Sequence, residues 1–396
     1  MNHKYSVTII GAGASGLMCA ASLASSGISN IALVERNPKV GKKLLMTGNG
    51  RCNVTNLKAS TADYHTDDTD KLDRILNRFG ISFTMNFFKD VLMVRLTEKG
   101  DLVYPGTFKS STVLDALRYY CEDHGVHFIT DKKTDSLDPN KLSDYGIDAD
   151  YYVLAMGGAS YPETGSDGGS YKIINSLIHD NSAFESLSPA LVQLKSSDRD
   201  IRILSGTRAQ VKVRLIADRE ELGSEEGEIL FTDYGISGIC IMQLSSIYNR
   251  RKMKGIREAY LTVDFLPEMT EEEVCREVNK RLNTASDRSE AVKLSGLVQR
   301  NIAEVICGRH GDIASSLKDF RITLSGSMDF DKAQITTGGL KLSVLNETLS
   351  LINNDRYYVI GETVNVDGPC GGYNLQWAWS SAFAAANDIA KRINIS

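Results

Sequence analysis

The chain opens on a short apolar run, Val7-Thr8-Ile9-Ile10, that stops at Gly11. Beyond a few glycines, Leu17-Met18-Cys19-Ala20-Ala21 predicts a helix of small apolar residues, and Ile31-Ala32-Leu33-Val34 a second strand. Residues 112–124 read as a helix, Val126-His127-Phe128-Ile129 as a strand, and Tyr151-Tyr152-Val153-Leu154-Ala155 as another buried strand. The texture changes near Pro189. Val211-Lys212-Val213-Arg214-Leu215 and Ala259-Tyr260-Leu261-Thr262-Val263-Asp264-Phe265 alternate, as half-buried antiparallel strands do. After Pro267 the pattern turns helical: Thr270 before Glu271, Glu272 and Glu273 is a helix start, with acids at its positive end. Strand texture resumes at Ile322-Thr323-Leu324, and from about residue 334 the chain is glycine-rich and α/β-like again. The second and third textures thus read as insertions in the first.

The glycines after the first strand form Gly11-Ala12-Gly13-Ala14-Ser15-Gly16, a G-x-G-x-x-G between strand and helix. This is the dinucleotide fingerprint in its required context. Gly11 makes the tight turn, Gly13 admits a pyrophosphate to the backbone at the start of the helix (Ala14, Ser15), and Gly16 lets helix and strand pack closely. Glu35, followed by Arg36, ends the second strand where an acid binds the adenosine ribose.

At 396 residues with 42% hydrophobic content the chain is long for one core, so more than one domain is expected. A net charge of −5 argues against a globally basic nucleic-acid binder and leaves room for a local basic face. Residues 249–322 carry 14 Lys and Arg against 12 carboxylates, in a chain of 45 against 50. Arg250, Arg251, Lys252, Lys254 and Arg257 are its densest cluster, read first as a solvated turn between two strands. Seven scattered cysteines without a C-x-x-C predict a reduced, cytoplasmic protein. No apolar run is long enough to span a bilayer, the first strand leaves no room for a signal peptide, and the histidines show no metal spacing, so neither membrane nor metal is expected.

NAD or FAD could occupy the fingerprint, and remote segments decide for FAD, which must also be gripped at its isoalloxazine end. One segment is the strand ending Ala155-Met156-Gly157-Gly158. Another runs from Gly361-Glu362 through Asp367 to Gly371-Gly372-Tyr373-Asn374-Leu375-Gln376 and into a helix of small residues. Glu362 is placed to accept hydrogen bonds from ribityl hydroxyls, and the helix from Asn374 points its positive end at the flavin N1–C2=O edge. In the third segment, 41–56, Lys42, Lys43 and Arg51 offer charge to the pyrophosphate. There Gly48 and Gly50 offer backbone N–H groups, Asn49 and Asn53 amides to the ring, and Cys52 lies between them.

These segments resemble the bacterial YhiN/BaiN-type FAD-dependent flavoprotein family, which includes aminoacetone oxidase-like and bile-acid reductase-like proteins. The resemblance runs nearly end to end, through GKKLLMTGNGRCNVTN at 41–56, AMGGASYPETGSDGG at 155–169, ILFTDYGISG at 229–238, ITTGGL at 335–340 and GETVNVDGPCGGYNLQWAWSSAFAAA at 361–386. It implies an α/β protein of three parts. They are a Rossmann-like FAD-binding domain from both chain ends (1–187 and 335–396), an inserted antiparallel β-barrel domain (188–266 and 319–334) and a small helical domain (267–318). Two departures stand out: Asp233 where relatives often carry His in F-T-H-x-G, and Ile239 where they often carry Pro.

The resemblance implies reduction of a conjugated C=C bond by hydride from flavin N5, on a small molecule such as a steroid or bile-acid enone. Alternatives are the same reduction on a ribosomal RNA uridine, oxidation of a small amine such as aminoacetone by O₂, or a non-catalytic flavin-binding module. Enone reduction needs a donor on the carbonyl oxygen and a proton for the α-carbon. Arg51, Tyr161, Asp233 and Tyr373 are the candidates, and the substrate is expected at the flavin face between the FAD domain and the insertion. Cys52 and Cys370 have no paired cysteine, which argues against a disulfide reductase. There is no second G-x-G-x-x-G between strand and helix, so either NADH or NADPH docks transiently as donor or electrons pass to and from other partners. The sequence carries no signal for an oligomeric state.

Overall fold

The computed structural model describes residues 4–309 and 311–395. The chain divides into two compact units, one running to Leu187 and resuming at Ile335, the other Ser188–Gln334.

The first unit contains β1 (Tyr5–Ile10), α1 (Ala14–Ser25), β2 (Ile31–Val34), α2 (Ser110–Asp123), β3 (His127–Ile129) and β4 (Ala149–Leu154). After the interruption it adds β5 (Ile335–Leu340), β6 (Ser350–Leu351), β7 (Asn354–Val359) and α3 (Tyr373–Ile395). Its sheet has the order β6-β7-β4-β1-β2-β3, parallel except for β6. This is a Rossmann-like α/β fold, with β1 central and the crevice at the carboxyl ends of β1 and β4. The largely apolar runs are explained by burial: all four residues of β2 and all but Ser6 of β1 are buried. Helix α1 buries Ser15 through Ala24, and α3 packs against it. Small residues on both helices permit that approach, and two indoles fasten α3 to other segments. Trp377 Nε1 donates to Gly361 O at 3.0 Å and Trp379 Nε1 to Val54 O at 2.8 Å.

In the second unit, seven strands form a sheet in the order Phe320–Thr323, Ala259–Asp264, Arg208–Ala217, Glu220–Phe231, Gly235–Ser237, Leu194–Lys195, Gly326–Ser327. All its pairings are antiparallel. The expected closed barrel is not found: among the described residues the two outermost strands are not paired with one another. Closure depends on the stagger between strands, which alternation within a strand does not encode. The expected helices are present, starting with Glu271–Leu282, whose Thr270 and Glu273 form a capping box. A separate helical domain is not found. Val274, Leu294, Ile302 and Leu317 from the helices share one core with Val213, Leu261 and Phe320 from the strands. The basic cluster also reads differently in the structure. Arg250, Arg251 and Lys252 occupy the last turn of the helix Ile239–Met253, where cations meet its negative end. No described helix is long and apolar enough to cross a membrane.

Candidate functional site

The turn between β1 and α1 is built by close approach. A methyl group on Gly11, at φ +106°, would lie 2.3 Å from Ala155 O, and one on Gly16 would lie 1.9 Å from Gly11 O. Gly13 differs: a methyl there meets no atom within 4 Å. Helix α1 begins at Ala14 with no side-chain cap and no acid in its first turn. Its positive end is therefore open to an anion. Glu35 is 9% exposed. Its Oε2 accepts from Ala12 N at 3.1 Å, and its Oε1 from Asn37 N and Nδ2 at 2.9 and 2.8 Å. Glu35, the candidate ribose acid, is thus fixed against the glycine turn. Arg36 is held by Asp167 at 2.6 Å, and Lys42 Nζ donates to Asn37 Oδ1 at 3.1 Å.

The C-terminal segment meets this turn directly. A methyl on Gly361 would lie 2.4 Å from Ser15 Oγ. The next residue, Glu362, centres a polar network that joins four segments. Its Oε2 accepts from Lys43 Nζ at 2.6 Å, and its Oε1 from Ser160 Oγ at 2.9 Å and Thr336 N at 2.8 Å. Thr336 Oγ1 in turn accepts from Ala159 N at 2.7 Å. Gly158 sits beneath, since a methyl on it would reach Thr336 Oγ1 at 2.4 Å, and Gly157 O accepts from Thr363 Oγ1 at 3.1 Å. Lys43 thus faces the ribityl carboxylate candidate. Ser160 and Thr336 were not singled out from the sequence, although both lie in stretches that carry the family resemblance.

The 47–53 loop is unusual in its backbone. Gly48, Asn49, Gly50 and Cys52 all have φ between 53° and 80°. For Asn49 and Cys52 this costs of order 1–3 kcal/mol each, a strain typical of ligand-holding loops. Asn49 and Arg51 are exposed. Cys52 is buried, which pushes its thiol up to about 12 and keeps it protonated. Asn53 Oδ1 is buried with no hydrogen-bond partner, as expected of a group that meets a ligand.

The turn before α3 packs on the strand Thr55–Asn56. Asn56 Nδ2 donates to Gly371 O at 3.1 Å, and a methyl on Gly372 would lie 2.7 Å from Thr55 O. Gln376 is turned inward: its Oε1 accepts from Thr55 Oγ1 at 2.6 Å, and its Nε2 donates to Thr84 Oγ1 and Ser380 Oγ. Asn374 holds the turn itself through Gly368 N and O, and Leu375 is half-buried beside it. Tyr373 is half-buried; burial first, then Asp63 and Asp101, hold its phenol above the ordinary range, so it stays a donor at neutral pH. Asp367 is 5% exposed and accepts from Thr337 Oγ1 at 2.7 Å. Tyr161 stands in the left-handed region, φ 53°, at the head of the Pro162–Thr164 turn. Asp233 lies in the second unit, on an exposed turn between the strands Glu220–Phe231 and Gly235–Ser237.

The open space at Gly13, the uncapped α1 and the unpartnered Asn53 Oδ1 together fit an FAD held in the first unit.

Comparison with known proteins agrees. The chain is 32% identical to the 3-dehydro-bile acid delta(4,6)-reductase of Clostridium scindens, across 98% of this chain and 99% of that one. It is 28% identical to the ribosomal RNA dihydrouridine synthase of Escherichia coli, across 98% of each. Among solved structures, 3-ketosteroid delta1-dehydrogenase from Sterolibacterium denitrificans shares the fold at TM-score 0.51 and 11% identity, covering 98% of this chain and 100% of that one. The family model for the HI0933-like protein Rossmann domain matches residues 5–388, and the chain belongs to that family of Rossmann-fold, FAD-binding proteins.

Proposed function

We propose that this protein is an FAD-dependent oxidoreductase that reduces a conjugated C=C bond in a steroid or bile-acid enone. The observation that carries the proposal is end-to-end similarity, at 32% identity, to a relative named as a bile-acid reductase. The site supports it, because both chain ends converge on one long, anion-ready cradle. Gly13 and α1 would hold the pyrophosphate, Glu35 the adenosine ribose, Glu362 the ribityl chain, and Asn53 with the turn before α3 the ring. Bound there, FAD supplies hydride for the β-carbon of the enone. The chain's own residues must orient the substrate, polarise its carbonyl and deliver a proton to the α-carbon. Tyr373, a half-buried and protonated phenol beside the ring end, is a donor for the carbonyl. Arg51, Tyr161 and Asp233 remain candidates for substrate contact.

We infer a reduced nicotinamide as the electron donor, docking transiently because the chain has one dinucleotide fingerprint. The seven thiols, none in a disulfide, suit a reducing compartment such as the cytoplasm. A second reading, reduction of a ribosomal RNA uridine, is favoured by the full-length similarity to the dihydrouridine synthases. The readings separate in a deletion strain and in vitro. Loss of a dihydrouridine from ribosomal RNA supports the second. NADH- or NADPH-dependent consumption of a bile-acid enone, with ribosomal RNA unchanged, supports the first. Hydrogen peroxide release with aminoacetone and no enone turnover would contradict both.

A further inference from the structure

The reduction needs a proton donor, and Asp233 lies on an exposed turn of the second unit. The fold brings an imidazole to the ring end of the cradle. His65 lies in the short strand His65–Thr66, paired antiparallel with Val366–Asp367 so that His65 stands opposite Asp367. Its Nδ1 lies 3.4 Å from the buried Asp367 Oδ1, an ion-pair distance though not an aligned hydrogen bond. Nδ1 has no accessible surface, whereas the side chain as a whole is 40% exposed. The exposed area therefore belongs to other atoms of the side chain.

The neighbouring carboxylates are committed elsewhere. Asp67 accepts from Leu342 N, Ser343 N and Asn365 Nδ2, Asp68 pairs with Lys71, and Asp63 accepts from Ser60. Asp367 is the carboxylate that faces the imidazole, and the same Oδ1 also accepts from Thr337 Oγ1 at 2.7 Å. Asp367 begins the glycine-rich turn that leads into α3. Tyr64, one residue before His65, donates its hydroxyl to Tyr373 O at 2.8 Å and meets the Tyr373 ring edge-on at 6.1 Å. His65 is therefore fastened at two points, through Asp367 and through Tyr64, to the turn assigned to the flavin ring. A histidine with one ring nitrogen toward a buried carboxylate has the layout of an acid–base imidazole beside an orienting carboxylate.

We propose that His65 is the general acid of this reduction and Asp367 the residue that positions it; the proposal rests on the enone-reductase reading above. Addition of hydride to the β-carbon moves the π pair toward the carbonyl oxygen. The Nε2–H bond of the imidazolium then breaks, and its proton joins the α-carbon as the enolate pair forms the new C–H bond. His65 is left neutral and regains a proton from solvent. The hydride comes from the reduced cofactor, itself reduced by nicotinamide, so electrons and protons balance.

The test compares FAD-loaded full-length wild type and His65→Asn. Each is reduced anaerobically with NADPH or dithionite, then mixed with a 3-keto-4-ene steroid. In His65→Asn, the visible spectrum and the reduction step should stay within about twofold, and reoxidation by the enone should slow by about 100-fold or more. Added imidazole should restore part of that rate in His65→Ala. An independent readout is the ¹⁵N-histidine spectrum of the protein. The His65 ring signals should shift on adding FAD and again on adding the saturated ketone, and Asp367→Asn should weaken both responses. Wild-type reoxidation in His65→Asn, or His65 signals that respond to neither FAD nor ketone, would overturn the assignment. If wild-type reduced enzyme ignores the enone, the reductase reading itself is wrong and the general-acid role goes with it.

Discussion

Two glycines in one turn should respond in opposite ways to the same methyl group. Gly13 has φ −84° and ψ −164°, extended backbone open to any residue, and a methyl there meets nothing within 4 Å. Glycine-to-alanine changes at such positions stabilise a protein by about 0.4–1 kcal/mol, mainly by restricting the unfolded chain. The Gly13→Ala apoprotein should therefore be as stable as wild type or slightly more so. Its FAD affinity should fall, because the methyl takes the space through which a pyrophosphate reaches the α1 N-terminus. Loss of one charge-assisted hydrogen bond, about 1.5–3 kcal/mol, weakens binding roughly ten- to hundredfold. Gly16→Ala puts its methyl 1.9 Å from Gly11 O. That oxygen belongs to a backbone already tied to Val34 O through Gly11 N at 2.8 Å. It cannot yield cheaply, and overpacking of about 1–3 kcal/mol or more should appear in the apoprotein itself. Urea unfolding of both apoproteins and FAD titration by fluorescence quenching give the two quantities separately. If Gly13→Ala binds FAD as tightly as wild type, the pyrophosphate does not lie at this turn. If its apoprotein is destabilised as much as that of Gly16→Ala, the turn geometry is wrong.

Glu362→Ala leaves the Lys43 ammonium, the Ser160 hydroxyl and the Thr336 N–H without their acceptor. With Lys43 and Glu362 side chains only 24% and 21% exposed, the apoprotein should lose about 2–3 kcal/mol, and Glu362→Gln less, by urea unfolding. Burial holds the Cys52 and Cys121 thiols up at about 12, against about 8.5 for an unfolded thiol. Their contribution is full below about pH 8.5 and is lost as pH rises toward the folded value, because the folded state then keeps protons that the unfolded state has released. Stability should thus fall with alkaline pH by up to about 1.4 kcal/mol per unit per thiol, and Cys52→Ala should flatten that slope. A chain truncated after Gln334 loses β7, α3 and the Gly361–Gln376 segment and should retain no flavin; a stable yellow fragment would contradict the shared cradle.

The parts of the fold legible in the sequence are those whose information is local. β1, the glycine turn and α1 declare themselves within a few residues by run length, punctuation and small side chains. The Thr270 capping box is equally local, and the helix it starts is where the pattern places it. Barrel closure is not local, and the strands alternate alike in an open or closed sheet. Helix Ile239–Met253 escaped notice because its apolar positions do not gather on one face. The site divides in the same way. Glu362 was legible as an acid after a strand, but Lys43 lies 319 residues from it in sequence and Ser160 lies 202. Lys43, read as a pyrophosphate cation, is drawn to that carboxylate. Asn374 and Gln376 follow the glycines of the last segment, yet the Asn374 amide holds the protein's own turn and the Gln376 amide bonds Thr55, Thr84 and Ser380. His65 has no metal spacing and no motif, and becomes notable only through strand pairing with Asp367.

The central claim, reduction of a conjugated C=C bond at an FAD bound by both chain ends, is tested most directly by one anaerobic turnover. Purified yellow protein is reduced to completion and mixed with one equivalent of a bile-acid 3-keto-4-ene. The flavin spectrum is followed and the steroid is analysed by mass spectrometry. The account predicts that the oxidised flavin spectrum returns in full and that the steroid gains two hydrogens across its C=C bond. A flavin that stays reduced in the presence of the enone, or that reoxidises while the steroid is recovered unchanged, would contradict it.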